Sequence, residues 1–273
     1  MTQRKSFPVI PALLLITGAI VMVSPIYWMF VTAVRPRSEV FAAQPTLWPT
    51  HILWSNISAV FREYPTGQWL GNTATIAVIA VAITVTINLL CGYAFAKFRF
   101  PGRNLLFFLI LSALMIPIQV ILVPEFLVVA SFGLLNTSWG VILPRCAEAF
   151  GIFMTRQFML SLPDELIEAA RLDGAGELQI FWRVILPLCR PLIAVLVVFT
   201  FMWRWNDFSW PLVVLTDQHR FTIQQGLNLL KWDPNPNWPH IMSLALISIV
   251  PMLVIFVACQ RFIVQGIANT GLK

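Results

Sequence analysis

The side chains that could do chemistry in this chain are few and ionisable. Arg145 and Glu148 stand three residues apart in an otherwise apolar run, a spacing that puts both on one helix face and lets them pair inside a bundle. Such a pair serves either a pathway or gate, or the orientation of its helix against a companion. Further on, Trp203-Arg204-Trp205-Asn206-Asp207 sets aromatics beside hydrogen-bonding groups. That is the composition of a sugar site and equally of a membrane headgroup belt. Pro117 and Gln119 carry the same ambiguity, and Pro144 is placed to kink its helix. No phosphate loop of the form G-x-x-x-x-G-K-[ST] and no H-E-x-x-H zinc motif occurs, so nucleotide and metal chemistry are not expected here. His51, His219 and His240 read as surface or interface residues.

These groups are carried by a membrane composition. The 273 residues are 58% hydrophobic and only 11% charged, against about 25% charged in soluble domains. Several apolar runs reach spanning length, about 18–25 residues. The net charge of +6 comes without a dense basic patch interleaved with aromatics, so topology accounts for it better than nucleic acid does. Cys91, Cys146, Cys189 and Cys259 lack ligand spacing and read as small core hydrophobes. The apolar run from Phe7 to about Val34 is too long for a secretory signal core and is read as a retained span.

The expected fold is an all-α polytopic membrane protein, one domain over 1–273 with six transmembrane helices. They are placed at about 9–31, 70–96, 105–123, 139–158, 192–214 and 240–260, the fourth interrupted by Pro144, Arg145 and Glu148. With the N-terminus inside, the inner segments hold Arg4, Lys5, Lys97, Arg99, Arg103, Arg156, Arg171, Arg183, Arg190, Arg261 and Lys273. The outer segments hold Arg35, Arg37, Arg62, Arg220 and Lys231. This bias puts both termini in the cytoplasm. A short surface helix is expected at about Trp54 to Tyr64, and Phe126 to Phe132 suits the interface. Trp54, Trp69, Trp139, Trp210 and Trp238 are expected as outer headgroup anchors.

The largest inner connection, about 159–191, is too organised for a solvated loop. Ser161 is placed to cap a helix starting at Leu162, with Pro163 in its first turn and Asp164 and Glu165 at its positive end. Leu162, Leu166, Ala169 and Ala170 share a low-profile face, and Gly174 lets the backbone leave after Asp173. A second helix from about Glu177 to Ile185 aligns Leu178, Phe181 and Ile185, before Pro187 and Pro191 restart the chain.

The residues Glu168-Ala169-Ala170, Asp173-Gly174-Ala175, Phe181, Ile185, Leu186-Pro187 and Pro191 resemble the cytoplasmic EAA signature of permease subunits in binding-protein-dependent ABC importers. Ser161-Leu162-Pro163 and Trp205-Asn206-Asp207-Phe208-Ser209-Trp210-Pro211-Leu212 make the chain similar to the carbohydrate-uptake branch, in the manner of the shorter maltose permease subunit. The resemblance covers nearly the whole chain. It implies that the helix with Leu166, Glu168, Ala169 and Ala170 docks on a cytoplasmic ATPase, Glu168 in contact and Asp173-Gly174-Ala175 preserving the turn. Ser161, Pro163, Phe181, Ile185 and Pro187 would support that segment. Trp205, Asn206 and Asp207 would help close an outer gate, and a tail with Gln265, Gly266 and Gly271 would reach the ATPase. The implied partners are a second homologous permease, two copies of an ATP-binding subunit holding ATP and Mg, an extracytoplasmic binding protein and a sugar-like substrate. The implied location is a bacterial or archaeal cytoplasmic membrane, and the chain itself is expected to be no enzyme and to hold no cofactor.

A secondary transporter would favour repeated bundles and several buried ion-coupling groups. A membrane scaffold would need neither a coupling helix nor broken spans. Oligosaccharide, polyol and glycerophosphate-type solutes all stay open.

Overall fold

The structure, a computed structural model, describes residues 9–42 and 46–270, with side chains as far as Phe262. Among the described residues all regular structure is helical: α1 Val9–Val34, α2 Ser55–Glu63, α3 Thr66–Lys97, α4 Arg103–Ser112, α5 Ile118–Ser131, α6 Ser138–Ile142 and α7 Ala149–Leu160. These are followed by α8 Glu165–Leu172, α9 Glu177–Ile180, α10 Leu186–Leu188, α11 Arg190–Asn206, α12 Ser209–Val214, α13 Ile223–Lys231 and α14 Trp238–Thr270. Among the described residues three helices are long and apolar enough to cross a membrane: Val9–Val34, Thr66–Lys97 and the stretch Trp238–Phe262. Two further pairs qualify only as broken spans, α4 with α5 bent by 106° and α9–α10 with α11 bent by 81°.

The breaks have local causes. Ile116 precedes Pro117 and is extended (φ −87°, ψ 115°), because a proline ring crowds the helical conformation of the residue before it. The helix drawn over 105–123 therefore ends in a 3-10 turn at Ala113–Met115 and restarts at Ile118, so Phe126 to Ser131 belongs to α5. The run drawn over 139–158 is likewise α6, a 3-10 turn at Leu143–Arg145 and α7. The run over 192–214 breaks at extended Asp207.

The folded chain divides into two compact units, Met1–Gly67 with Gly226–Val250, and Gln68–Gln225 with Pro251–Lys273. In the first, α2 seals the end of α1. Asn56 Nδ2 donates to the Ala33 and Arg35 carbonyls (2.9 and 3.0 Å), and Arg35 lies buried over the Trp28 ring. The rest of α1 is almost entirely uncovered, Val9 to Val23 presenting apolar side chains outward.

In the second unit, two glycines bring α3 and α7 together. A Cβ on Gly92 would lie 2.3 Å from Thr155 Cγ2, and one on Gly151 would lie 2.0 Å from Asn88 Nδ2, so only hydrogen fits at either place. Two anchors expected at headgroup depth are instead core: Trp69 and Trp210 are fully buried, the latter donating from Nε1 to the Gly140 carbonyl at 3.1 Å. Trp54 and Trp139 are exposed.

Candidate functional site: a docking segment and a charged cleft

The segment between α7 and α11 is built on a buried base. Ile167 of α8 joins Ile180, Phe181, Ile185 and Cys189 against Leu89, Tyr93 and Ala96 of α3, Met159 of α7, and Leu192 and Leu196 of α11. Burying side chains of this size contributes about 1.5–3 kcal/mol each, so the segment is part of the core, not an appended loop. The Tyr93 ring meets Phe98 edge-on at 5.4 Å and Phe181 tilted at 5.2 Å.

The start of α8 differs from the sequence expectation. Ser161 donates its hydroxyl to the Phe158 carbonyl and so closes α7, while Pro163 lies before the helix and α8 begins at Glu165. Asp164 occupies the cap position but makes no capping bond; its carboxylate is held at 2.6 Å by Lys97 Nζ, which also donates to the Leu162 carbonyl at 2.7 Å. This lysine bond holds the Asp164 carboxyl below the usual carboxylate range. The buried stripe also differs: Ile167 is buried, Ala170 and Ala175 pack on the core, and Leu166 is exposed. In the second piece Ile180 takes the buried place expected for Leu178, which is 71% exposed.

The end of α8 is a Schellman motif. Ala175 N–H donates to the Ala170 carbonyl and Gly174 N–H to the Arg171 carbonyl, both at 3.0 Å, with Gly174 at φ +82°. Arg171 then clamps Glu177 across the turn (2.7–2.8 Å). Beyond it, Phe181–Ile185 forms a π turn between α9 and α10, Pro187 sits within α10, and the chain turns at buried Cys189. The outward surface left over is Leu166, Glu168, Ala169, Leu172, Asp173, Leu178 and Trp182. The Glu168 carboxylate enters none of the ion pairs among the described residues.

The ionisable groups of the apolar spans gather elsewhere. A cleft of about 490 Å³ is lined by residues at all three breaks, Ala113, Leu114 and Ile118 at the first, Pro144, Arg145, Ala147 and Glu148 at the second and Asp207 at the third. Backbone without helical partners is tolerated at membrane depth where it faces a cavity. Arg145 and Glu148 do not pair, because the helix stops between them. Arg145 instead reaches Asp207 Oδ2 with Nη1 at 3.4 Å and Glu125 Oε1 with Nε at 3.7 Å. Glu148 takes Arg204 Nη2 at 2.5 Å and the Thr200 hydroxyl at 3.3 Å, while its own N–H donates to buried Asn88. Arg204 Nη2 also caps the Arg145 carbonyl at 2.7 Å.

Of the residues singled out near the third break, Asp207 joins the cleft. Trp205 is buried and stacks on Phe201 at 5.3 Å, and exposed Asn206 donates to the Met202 carbonyl. Glu125 also belongs to the network and was not singled out, and Arg204, named only within the Trp203–Asp207 run, joins it through Glu148. Gln265 and Gly266 lie in α14, where only backbone is described, and Gly271 lies outside the described residues.

Residues 88–269, which contain both the segment between α7 and α11 and the cleft, match the family described as binding-protein-dependent transport system inner membrane component. The chain belongs to that family. As a member, this inner membrane component is 35% identical over 276 residues, 98% of each chain, to the sn-glycerol-3-phosphate transport system permease protein UgpE of Yersinia pestis bv. Antiqua. It is 34% identical over 279 residues, 99% of each chain, to the arabinooligosaccharides transport system permease protein AraQ of Halalkalibacterium halodurans. Among solved structures it is similar to a chain of a bacterial ABC transporter involved in the import of the acidic polysaccharide alginate, with TM-score 0.82, 25% identity, and 93% and 95% of the two chains covered. A chain of a bacterial alginate ABC transporter in complex with an alginate pentasaccharide-bound periplasmic protein matches with TM-score 0.68 at 17% identity, a likeness of fold. The permease is thus an all-α polytopic membrane protein of the importer type.

Proposed function

We infer that this chain is the transmembrane subunit of an ATP-driven, binding-protein-dependent importer of a sugar or related solute. It forms half of the translocation pathway beside a second homologous permease. ATP and Mg are held by two copies of a separate ATP-binding subunit on the cytoplasmic side, where both termini of this chain also lie, and this chain performs no hydrolysis. An extracytoplasmic binding protein delivers the solute. The six spans are those of the three long helices, the bent pair α4 with α5, α6 with α7, and α11.

The observation that carries this reading is the division of labour within α8. Its inner face, Ile167 and Ala170, is fused to helices α3, α7 and α11, while its outer face, Leu166, Glu168 and Ala169, is left uncovered. A helix so placed receives a push from a docked partner and passes it into membrane-embedded elements with no slack. Leu172 and Trp182 extend the same uncovered surface. The C-terminal tail with Gln265, Gly266 and Gly271 is assigned a secondary contact with the same ATPase.

The test is reconstitution of the full transporter in vesicles with binding protein and internal ATP. Uptake that stops without ATP, and co-purification of the ATPase that is lost on Glu168→Arg, are the expected results. Uptake that persists without ATP, driven by an ion gradient, would overturn the reading.

A further inference from the structure

Five ionisable side chains converge on the cleft, and their bonding is incomplete. Arg145 uses Nη1 and Nε, yet its Nη2 is buried with no partner; Arg204 spends Nη2 on Glu148 and a carbonyl, leaving Nε buried without one; Glu125 keeps Oε2 unmatched in the same way. The Arg204 side chain is only 6% exposed, so water does not stand in freely. Each unmet buried polar group costs about 1–3 kcal/mol, more when charged. Native structures keep such groups where something else completes them. Two unmatched donors and one unmatched acceptor, on three side chains that line one cavity, ask for a group that both accepts and donates, and a hydroxyl does both.

We propose that this cleft is a subsite for an uncharged polyhydroxyl solute, a sugar or polyol bearing neither phosphate nor carboxylate, so that this chain itself contacts cargo. The proposal rests on the importer reading above. Charge decides the class. Three carboxylates, Glu125, Glu148 and Asp207, stand against two guanidiniums, and both guanidiniums already face carboxylates. An anionic headgroup would have to displace one of these and then sit beside the others, at a repulsion that low dielectric magnifies. A neutral hydroxyl meets no such barrier. The cleft also offers an apolar platform: Trp203 lines it while partly exposed, and Phe150 holds it edge-on at 5.6 Å. An aromatic wall with a few convergent polar groups, in a volume between about 300 and 1,000 Å³, is the usual make-up of a small-molecule site. Ionisable groups inside a span point to a pathway for the same energetic reason.

The test uses the purified, assembled transporter without its binding protein, probed by saturation-transfer NMR with arabinotriose, glucitol and glycerol 3-phosphate. Saturation should reach the protons of the trisaccharide or the polyol and not those of glycerol 3-phosphate. Glu125→Gln and Arg204→Lys should each weaken the neutral signal about ten-fold or more, the loss of a hydrogen bond to a charged group. Trp203→Leu, which leaves every ionisable group in place, should weaken it as well and covers the case in which a charge variant does not assemble. Glycerol 3-phosphate saturating as strongly as the sugars, no probe saturating, or variants binding within about two-fold of wild type would each overturn the subsite. The last outcome would make the charges a seat for the companion permease. ATP-driven uptake by the complete system is measured beside it: uptake without cleft binding sinks the subsite alone, whereas ATP-independent uptake sinks the importer reading.

Discussion

Gly174 and Gly176 offer a clean separation of backbone strain from packing. Neither has any atom within 4 Å of where a Cβ would stand, so adding a methyl group costs nothing in contacts at either site. They differ in conformation: Gly174 has φ +82°, Gly176 φ −73° and ψ 159°, open to any residue. An L-residue in the left-handed region costs about 1–2 kcal/mol. Replacing glycine also stiffens the unfolded chain, which returns about 0.4–1 kcal/mol. Gly174→Ala should therefore lose about 1 kcal/mol locally, and Gly174→Val more. The loss falls on the Schellman bonds of Gly174 and Ala175, so amide exchange at Ala175 should quicken about five-fold in the alanine variant. Hydrogen exchange of the assembled transporter reads this directly, and uptake should fall in the same order because the docking helix loses its fixed end. Gly176→Ala, which carries the same unfolded-chain gain without the strain, should show no faster exchange at Ala175 and no loss of uptake. Equal effects of Gly174→Ala and Gly176→Ala would refute the argument, since strain would then not be what distinguishes them.

Other outcomes follow from the same geometry. Glu168→Ala should leave thermal stability unchanged to within about 0.5 kcal/mol, being an exposed side chain outside the ion pairs, yet reduce ATPase co-purification. A large fall in melting temperature would reassign Glu168 to a structural role. Gly92→Ala should destabilise the permease by about 1–3 kcal/mol through overpacking on Thr155, measured by thermal unfolding in detergent; Gly67→Ala, with open space around it, is the control. The Asp164–Lys97 bond has a signed pH dependence. The folded carboxyl titrates below its unfolded value of about 3.9, so the bond's contribution is present above that value and lost as pH falls through the depressed one. Lys97→Met should raise the Asp164 titration back to the ordinary carboxylate range in a carboxyl-resolved NMR experiment, and no movement would mean the lysine is not the cause.

Much of the docking segment was legible because its signals are local. A proline, an acidic first turn and a glycine at the exit mark a short helix whatever it packs against, and Gly174 performs the expected turn. Which apolar stripe is buried was not legible. Leu166, Leu172, Leu178 and Trp182 look like core in composition yet face outward, and an exposed apolar patch and a core use the same residue types. The uninterrupted helices α1, α3 and α14 could be drawn from apolar length alone. Of the broken ones, the fourth was marked by Pro144, Arg145 and Glu148, while hydropathy over a window ignores a single extended residue such as Ile116 or Asp207. The cleft network was the least readable feature. Arg204 finds Glu148 across 56 residues and Arg145 finds Asp207 across 62, partners that no helical spacing brings together. The one signal available was the presence of Glu125 and Arg204 within apolar runs at all.

The π turn at Phe181–Ile185 has a consequence for chain length. Its i to i+5 bonding accommodates a surplus residue within one helical turn. Removing a single residue there would let the turn tighten to α geometry, while Ile180 before it and Cys189 after it keep their faces to the core. The same deletion in α3 would rotate everything beyond it by about 100°, one residue's share of a 3.6-residue turn. Phe181–Ile185 is thus a stretch with a residue to spare, where the chain can shorten by one without turning the outward face of α8 relative to the core.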